Sequence, residues 1–207
     1  EILCITGLIG SKRTEMIHAL FGSAPLDAGE IRINDTEIRP SGPAAAMAAG
    51  IGLVPEDRHL EGLMLGMPVR ENLVMTTLRR FVRSGLLQHK QVDGTVSGLI
   101  GALNVQPPDP AQVAGRLSGG NQQKVVLAKW MFTEPDVLIL DEPTRGIDVG
   151  AKYEIYEIIN QLADSGRGVL VISSELPELL GICDRIYTLS AGVITADVPR
   201  EQADQEL

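Results

Sequence analysis

Aromatic residues are scarce in this sequence, 3% of 207 positions. Surfaces that stack the bases of single-stranded nucleic acid need several exposed rings, so the composition argues against that function. Positive charge is also short. Eighteen Lys and Arg stand against 27 Asp and Glu, a net charge of −9. A broad footprint on a phosphate backbone needs the opposite sign. Cysteine is reduced to Cys4 and Cys183, with no CxxC spacing and both in apolar runs. That pattern reads as two reduced core residues rather than a disulfide or a metal pair. His18, His59 and His89 are scattered without ligand spacing. No apolar run approaches the roughly 18 residues of a membrane span, and no signal-peptide pattern is present.

What is present is ordinary globular composition, 44% hydrophobic and 22% charged. The length suits one domain with an inserted lobe. The chain opens on Glu1 already in a strand-like run, without an initiator methionine, as expected of a segment of a longer protein.

Short β-rich runs alternate with helical segments. Ile2–Ile5, Ile51–Val54, Val137–Leu140 and Val169–Ile172 are continuously apolar. Continuous rather than alternating apolarity signals strands buried on both faces of a parallel sheet. Gly29–Ile33 and Glu37–Ile38 flank an Asn34-Asp35 turn and predict a small antiparallel pair. Helices are expected over Thr14–Phe21, Pro43–Ala49, Asn121–Met131, Lys152–Ala163 and Pro177–Leu180, and a terminal strand pair over Arg185–Leu189 and Val193–Ala196. From Pro68 to about Leu103 strand signals vanish and the segment reads as helical. Gln106-Pro-Pro-Asp-Pro110 reads as a rigid linker. The expected fold is α/β, with helices on both faces of a mostly parallel sheet, a small antiparallel element and an inserted α-helical subdomain. The boundaries are residues 1–64 and 131–207 for the β core and 65–130 for the helical subdomain.

Three motifs carry the chemistry. Gly7-Leu-Ile-Gly-Ser-Lys-Arg-Thr14 lies between a strand and a helix, the context of a phosphate loop. Against G-x-x-x-x-G-K-[ST], the second glycine becomes Lys12 and the lysine becomes Arg13, while Thr14 keeps the hydroxyl that contacts Mg²⁺. Arg13 keeps the charge, but a planar fork is not a compact ammonium. Lys12 brings a side chain where such a loop has none. By itself this segment is equally an ordinary strand–turn–helix. Leu117-Ser-Gly-Gly-Asn-Gln-Gln-Lys124 sets a hydroxyl and two bare backbone positions at a helix mouth, which suits an anion. Val137-Leu-Ile-Leu-Asp-Glu-Pro143 ends a buried strand in two carboxylates. Successive side chains at a strand end diverge, which assigns Asp141 to a metal shell and Glu142 to the γ-phosphate and its water.

In this order and spacing the motifs resemble the nucleotide-binding domain of ATP-binding-cassette transporters, a P-loop NTPase with a RecA-like core. The resemblance covers nearly the whole chain and extends to Gly50-Ile-Gly-Leu-Val-Pro-Glu-Asp-Arg58, Met67-Pro-Val-Arg-Glu-Asn-Leu73 and Thr144-Arg-Gly-Ile-Asp-Val-Gly-Ala-Lys152. Pro-Glu-Asp-Arg, Asn-Gln-Gln-Lys and Thr-Arg-Gly-Ile-Asp-Val-Gly are similar to the second cassette of bacterial simple-sugar importers, the ribose, galactose and xylose type.

The resemblance implies ATP and Mg²⁺ as cofactors, with nucleotide held by Gly7, Gly10, Ser11, Lys12, Arg13, Thr14 and Glu15. It implies a metal held by Thr14, Asp141 and Glu56, the last at a glutamine position. Catalysis falls to Glu142, with Ser174 where a switch histidine is expected. Leu117, Ser118, Gly119, Gly120 and Asn121 form the signature that completes a partner's ATP site, and Gly146, Ile147 and Asp148 form the D-loop. The implied partners are a second cassette fused upstream, transmembrane permease subunits and, indirectly, a periplasmic sugar-binding protein, with no nucleic acid. The implied location is peripheral, on the cytoplasmic face of the inner membrane. Lys12, Arg13, Glu56 and Ser174 depart from the family pattern, whereas the signature is intact. The competing readings are a structural cassette without catalysis and a soluble cassette acting on nucleic acid.

Overall fold

The computed structural model describes residues 1–8 and 10–203, so Ile9 of the glycine-rich turn lies outside the described residues. In chain order it comprises β1 (Ile2–Thr6), α1 (Arg13–Leu20), β2 (Ile31–Ile33), β3 (Thr36–Ile38), α2 (Pro43–Ala48), β4 (Ile51–Val54), α3 (Val69–Val74), β5 (Val82–Arg83), β6 (Leu86–Leu87), α4 (His89–Ala102), α5 (Gly119–Met131), β7 (Val137–Asp141), α6 (Val149–Asp164), β8 (Gly168–Ile172), α7 (Leu176–Ile182), β9 (Arg185–Ser190) and β10 (Val193–Pro199). The chain divides into two units, residues 1–53, 135–143 and 156–207, and residues 54–134 and 144–155.

The first unit is built on a six-stranded sheet of order β10-β9-β1-β8-β7-β4. β1 pairs in parallel with β8 and β9, and β7 in parallel with β8. β10 runs antiparallel to β9. The apolar strand runs are buried as their patterning requires: Cys4, Leu138, Leu140 and Val171 are fully enclosed. β2 and β3 form the expected separate pair, and Asn34 and Asp35 between them both take positive φ. That matches the mirror-image turn favoured in tight hairpins.

The register decides where chemistry happens. Ile5 and Asp141 both align with Ile172, so β1, β7 and β8 end together. The glycine-rich turn, the Asp141-Glu142 pair and Ser173-Ser174 therefore leave the sheet at one carboxyl edge, where open α/β sheets bind ligands. The backbone ties them there: Glu142 N–H donates to Ile172 O at 2.8 Å, and Ser173 N–H to Ile5 O at 3.2 Å.

In the second unit α5 is buried from Gln122 to Trp130, so it is a central rather than a surface helix. α3 and α4 pack on it. α4 turns the stripe Val92, Val96 and Ile100 inward, four residues apart.

Two expectations are corrected. The segment 68–103 is not free of strands: β5 and β6 pair around Ser84-Gly85, both at positive φ. Strands of two residues carry no readable period, which is why the sequence pattern missed them. Cys4 and Cys183 are not free thiols. They form a disulfide with Cα atoms 5.8 Å apart, inside the usual range, and both are fully buried. The 106–110 segment, expected as a rigid linker, is held at both ends: Arg70 N–H donates to Pro110 O and Gln106 N–H to Asn121 Oδ1.

Candidate functional site

The first unit holds a cavity of about 860 Å³, lined by Thr6, Gly7, Gly10, Ser11, Arg13, Ser174 and the β9–β10 turn. The turn brings its backbone close to Gly7. A methyl group added to Gly7 would meet Leu189 O at 2.2 Å and Ser11 Oγ at 2.9 Å, so only glycine fits. Of the residues expected at the nucleotide, Gly7, Gly10, Ser11 and Arg13 meet here, with Ser174 beside them.

α1 starts at Arg13 without a side-chain cap. The first N–H groups of a helix have no intrahelical partner, and the helix dipole favours an anion there. Lys12 precedes it with φ of 77°, a left-handed conformation that costs any residue with a Cβ. Its side chain leaves the loop: Nζ lies 2.9 Å from Glu15, and both side chains are exposed. Lys12 therefore strains the turn without filling it, and Glu15 is its counter-charge.

Among the described residues, the buried Ser11 Oγ and Arg13 Nη1 atoms of the loop lack a hydrogen-bond partner. Arg13 Nη1 instead stands 3.8 Å from Glu142 Oε1, with the two side chains 14% and 12% exposed. Glu142 also sits at φ of 47°, a strained position for a carboxylate residue. Asp141 is buried at the end of β7, and Thr14 is exposed in the first turn of α1. Ser174 is exposed, whereas its neighbour Ser173 is buried and donates to Glu178.

The loop fits phosphate groups: the start of α1, a buried hydroxyl and a guanidinium meet at one cavity. For a metal, the described residues contain no cluster of three or more His, Cys, Asp or Glu. Thr14 and Asp141 are single oxygen ligands of the kind a phosphate-bound Mg²⁺ uses.

The second unit carries the other motifs. Ser118 caps α5 with its side chain, accepting from Asn121 N–H. A methyl added to Gly119 would meet Arg58 Nη2 at 3.0 Å, and one added to Gly120 would meet Ala151 Cβ at 2.4 Å. Gly120 is therefore required by close approach, whereas at Gly119 the tip of Arg58 would have to give way. Leu117 is buried beneath them.

Glu56 does not stand alone. Its carboxylate is ion-paired with Arg145. Arg58 then donates from Nη1 to Arg145 O at 2.8 Å, from Nη2 to Gly146 O at 3.4 Å and from Nε to Gln122 Oε1 at 3.3 Å. Burial lowers the Arg58 pKa from its ordinary value. His59 meets the same Gln122 oxygen at 2.9 Å. Asp148 caps the start of α6 by accepting from Ala151 N–H. Arg58, Arg145 and Gln122 were not singled out from sequence. Arg58 meets Gln122 and Arg145 across 64 and 87 residues, which leaves no local signal, and only their place inside recognisable motifs could have raised them.

A phosphate loop after β1 at the carboxyl edge of the sheet, with a carboxylate pair at the end of β7 on the far side of β8, defines a P-loop nucleotide-binding domain. The family model "ABC transporter" matches residues 1–145, and the chain belongs to that family. Among curated relatives, a ribose import ATP-binding protein of Streptomyces coelicolor is 48% identical over the whole chain, which covers 40% of that protein. An L-arabinose transport ATP-binding protein of Geobacillus stearothermophilus is 50% identical, again with 100% of this chain and 40% of the relative covered. The chain thus spans about two fifths of the length of these relatives. A nucleotide-free ATP-binding cassette from an ABC transporter superposes with a TM-score of 0.83 at 22% identity, over 96% of this chain and 80% of that one. A dimeric cassette bound to ADP and phosphate gives 0.81 at 19% identity, over 97% and 85%.

Proposed function

We propose that this chain is a nucleotide-binding domain that helps to power import of a simple sugar, with an impaired phosphate loop of its own and an intact signature for a partner's site. The import reading is supported by the ribose and arabinose import relatives. The partner is a second cassette fused upstream, in keeping with relatives about two and a half times as long; a cassette of the same fold is dimeric with ADP and phosphate bound. The pair works beneath permease subunits at the cytoplasmic membrane face, fed by a periplasmic sugar-binding protein. No described helix is long and apolar enough to cross a membrane. Leu63 is buried, while Met64 and Met67 stay exposed and suit an adaptable contact with the permease.

Each residue has a role under this reading. The first N–H groups of α1, Ser11 and Arg13 bind and orient the phosphates of ATP. Thr14 and Asp141 would hold Mg²⁺, which would supply charge neutralisation when bound; Glu56 stands at the glutamine position and is paired with Arg145. Glu142 is the water-orienting carboxylate, and Ser174 stands where a proton-carrying imidazole would serve. The Gly146–Asp148 turn lies beside the signature. The observation that carries the asymmetry is the Arg13–Glu142 pair: the water-orienting carboxylate is engaged by the very cation that should face phosphate. Hydrolysis at this site is therefore slow, while Ser118, Gly119 and Gly120 serve the reaction on the partner's phosphate loop.

The test compares two variants in the assembled transporter. Ser118→Arg abolishes sugar uptake, whereas Glu142→Gln reduces it only several-fold. Equal loss from both variants means that both sites turn over, and the asymmetric reading fails.

A further inference from the structure

The Ser118 hydroxyl oxygen at the mouth of α5 accepts twice. The Asn121 side-chain amide donates to it at 2.9 Å and the Asn121 backbone N–H at 3.4 Å. A serine hydroxyl has two lone pairs and one proton. Both lone pairs are engaged, and among the described residues the proton has no acceptor. It is left for an acceptor from outside the chain.

The direction of this bond is not arbitrary. Asn121 Oδ1 accepts from the Gln106 backbone N–H at 2.7 Å. With the amide turned over, its NH₂ would face that N–H donor to donor, and its oxygen would draw the Ser118 proton inward. A backbone N–H is an obligatory donor, so Gln106 selects the orientation. Gln106 is fastened in turn. Its side chain donates to Asn104 Oδ1 at 2.9 Å. Lys124, three residues after Asn121, donates to Asn104 O at 3.0 Å and pairs with Glu154. The 104–106 loop is thus anchored twice to the helix that bears the signature, around a cavity of about 270 Å³.

We propose that Asn121 is a positioning residue that turns the Ser118 proton outward, toward a phosphate oxygen of the nucleotide on the partner cassette. The relay runs from Gln106 N–H to Asn121, from Asn121 to Ser118, and from Ser118 to phosphate. It rests on the partner-site reading given above. A phosphate oxygen only accepts, so the direction of the Ser118 hydroxyl decides between a hydrogen bond and lone-pair repulsion.

A double-mutant cycle in the assembled transporter tests this, reading ATP turnover as kcat and KM separately. Asn121→Asp keeps the shape and the acceptor for Gln106, but offers Ser118 an acceptor in place of a donor. Its kcat falls about 10²–10³-fold, as does that of Ser118→Ala, the usual cost of one lost donor to a developing anion. On the Ser118→Ala background, Asn121→Asp costs less than about a further threefold, because coupled residues are not additive. A full additional loss on that background, as simple charge repulsion would produce, overturns the relay; so does a harmless Asn121→Asp in the native background. If Asn121→Asp does not fold, Asn121→Ala runs the same cycle with the same criterion. A harmless Ser118→Ala overturns the partner-site reading and the relay together, whereas a costly Ser118→Ala with additive Asn121 effects overturns the relay alone.

Discussion

Arg13 and Glu142 stand 3.8 Å apart at the carboxyl edge of the sheet, both mostly buried. Among the described residues, the Arg13 Nη1 atom has no hydrogen-bond partner. Bound phosphate and Glu142 therefore compete for one cation. Glu142→Gln should free Arg13 and remove a like charge from the phosphate site. Calorimetric affinity for Mg·ATP should rise about tenfold, equivalent to roughly 1.4 kcal/mol. Unchanged or weaker binding contradicts the competition.

Lys12 sits in the left-handed region, with its ammonium outside the loop on Glu15. Replacing it with glycine removes the strain, and the exposed ion pair it loses contributes little. Lys12→Gly should raise the melting temperature by about 2–4 °C, net of the freer unfolded chain. It should also tighten nucleotide binding by relaxing the turn. A lower melting temperature refutes the strain.

Lys129 is buried on α5, donating to the Gly62 carbonyl and lying against the Trp130 ring. Burial pushes its pKa from 10.5 down to about 8. Between those values the unfolded chain binds the proton and the folded one does not, so stability rises with pH across that window. Below pH 8 both states are charged and the folded state carries the full cost, roughly 3 kcal/mol for the gap. Lys129→Met should abolish the rise between pH 8 and 10.5 and stabilise the protein at neutral pH. Denaturant midpoints measured at pH 7 and pH 10 decide this; an unaltered pH dependence in the variant contradicts it.

The Cys4–Cys183 bond closes a separation of 179 residues. In the chain-entropy account such a closure stabilises by about 5 kcal/mol. Reductant, or Cys183→Ser, should lower thermal stability markedly. Thiol titration of the denatured, unreduced protein should find no free thiol. Two free thiols overturn the pairing.

Much of this protein was legible one segment at a time. The runs Ile2–Ile5, Ile51–Val54, Val137–Leu140 and Val169–Ile172 announced buried strands, and all four lie in the central sheet. Asn34-Asp35 announced its turn, and the glycine-rich, signature and carboxylate motifs announced the family. These signals are local: period, turn chemistry and spacing act within a few residues. The β5–β6 hairpin was too short to show a period, and the cysteine pair was too distant to be linked by spacing.

By itself the sequence determined the class of fold and which residue types stand at each motif position. Only the tertiary structure decided what those residues face. Strand register aligned Ile5 and Asp141 on Ile172 and so brought the loop and the carboxylates to one edge. Folding put Glu56 on Arg145, Arg58 on the carbonyls of the Arg145-Gly146 turn, Asn121 on Gln106, and Arg13 on Glu142. The physical reason is that periodicity and propensity are set by neighbours along the chain, whereas a buried charge or amide takes whichever partner the packed backbone brings within about 3–4 Å.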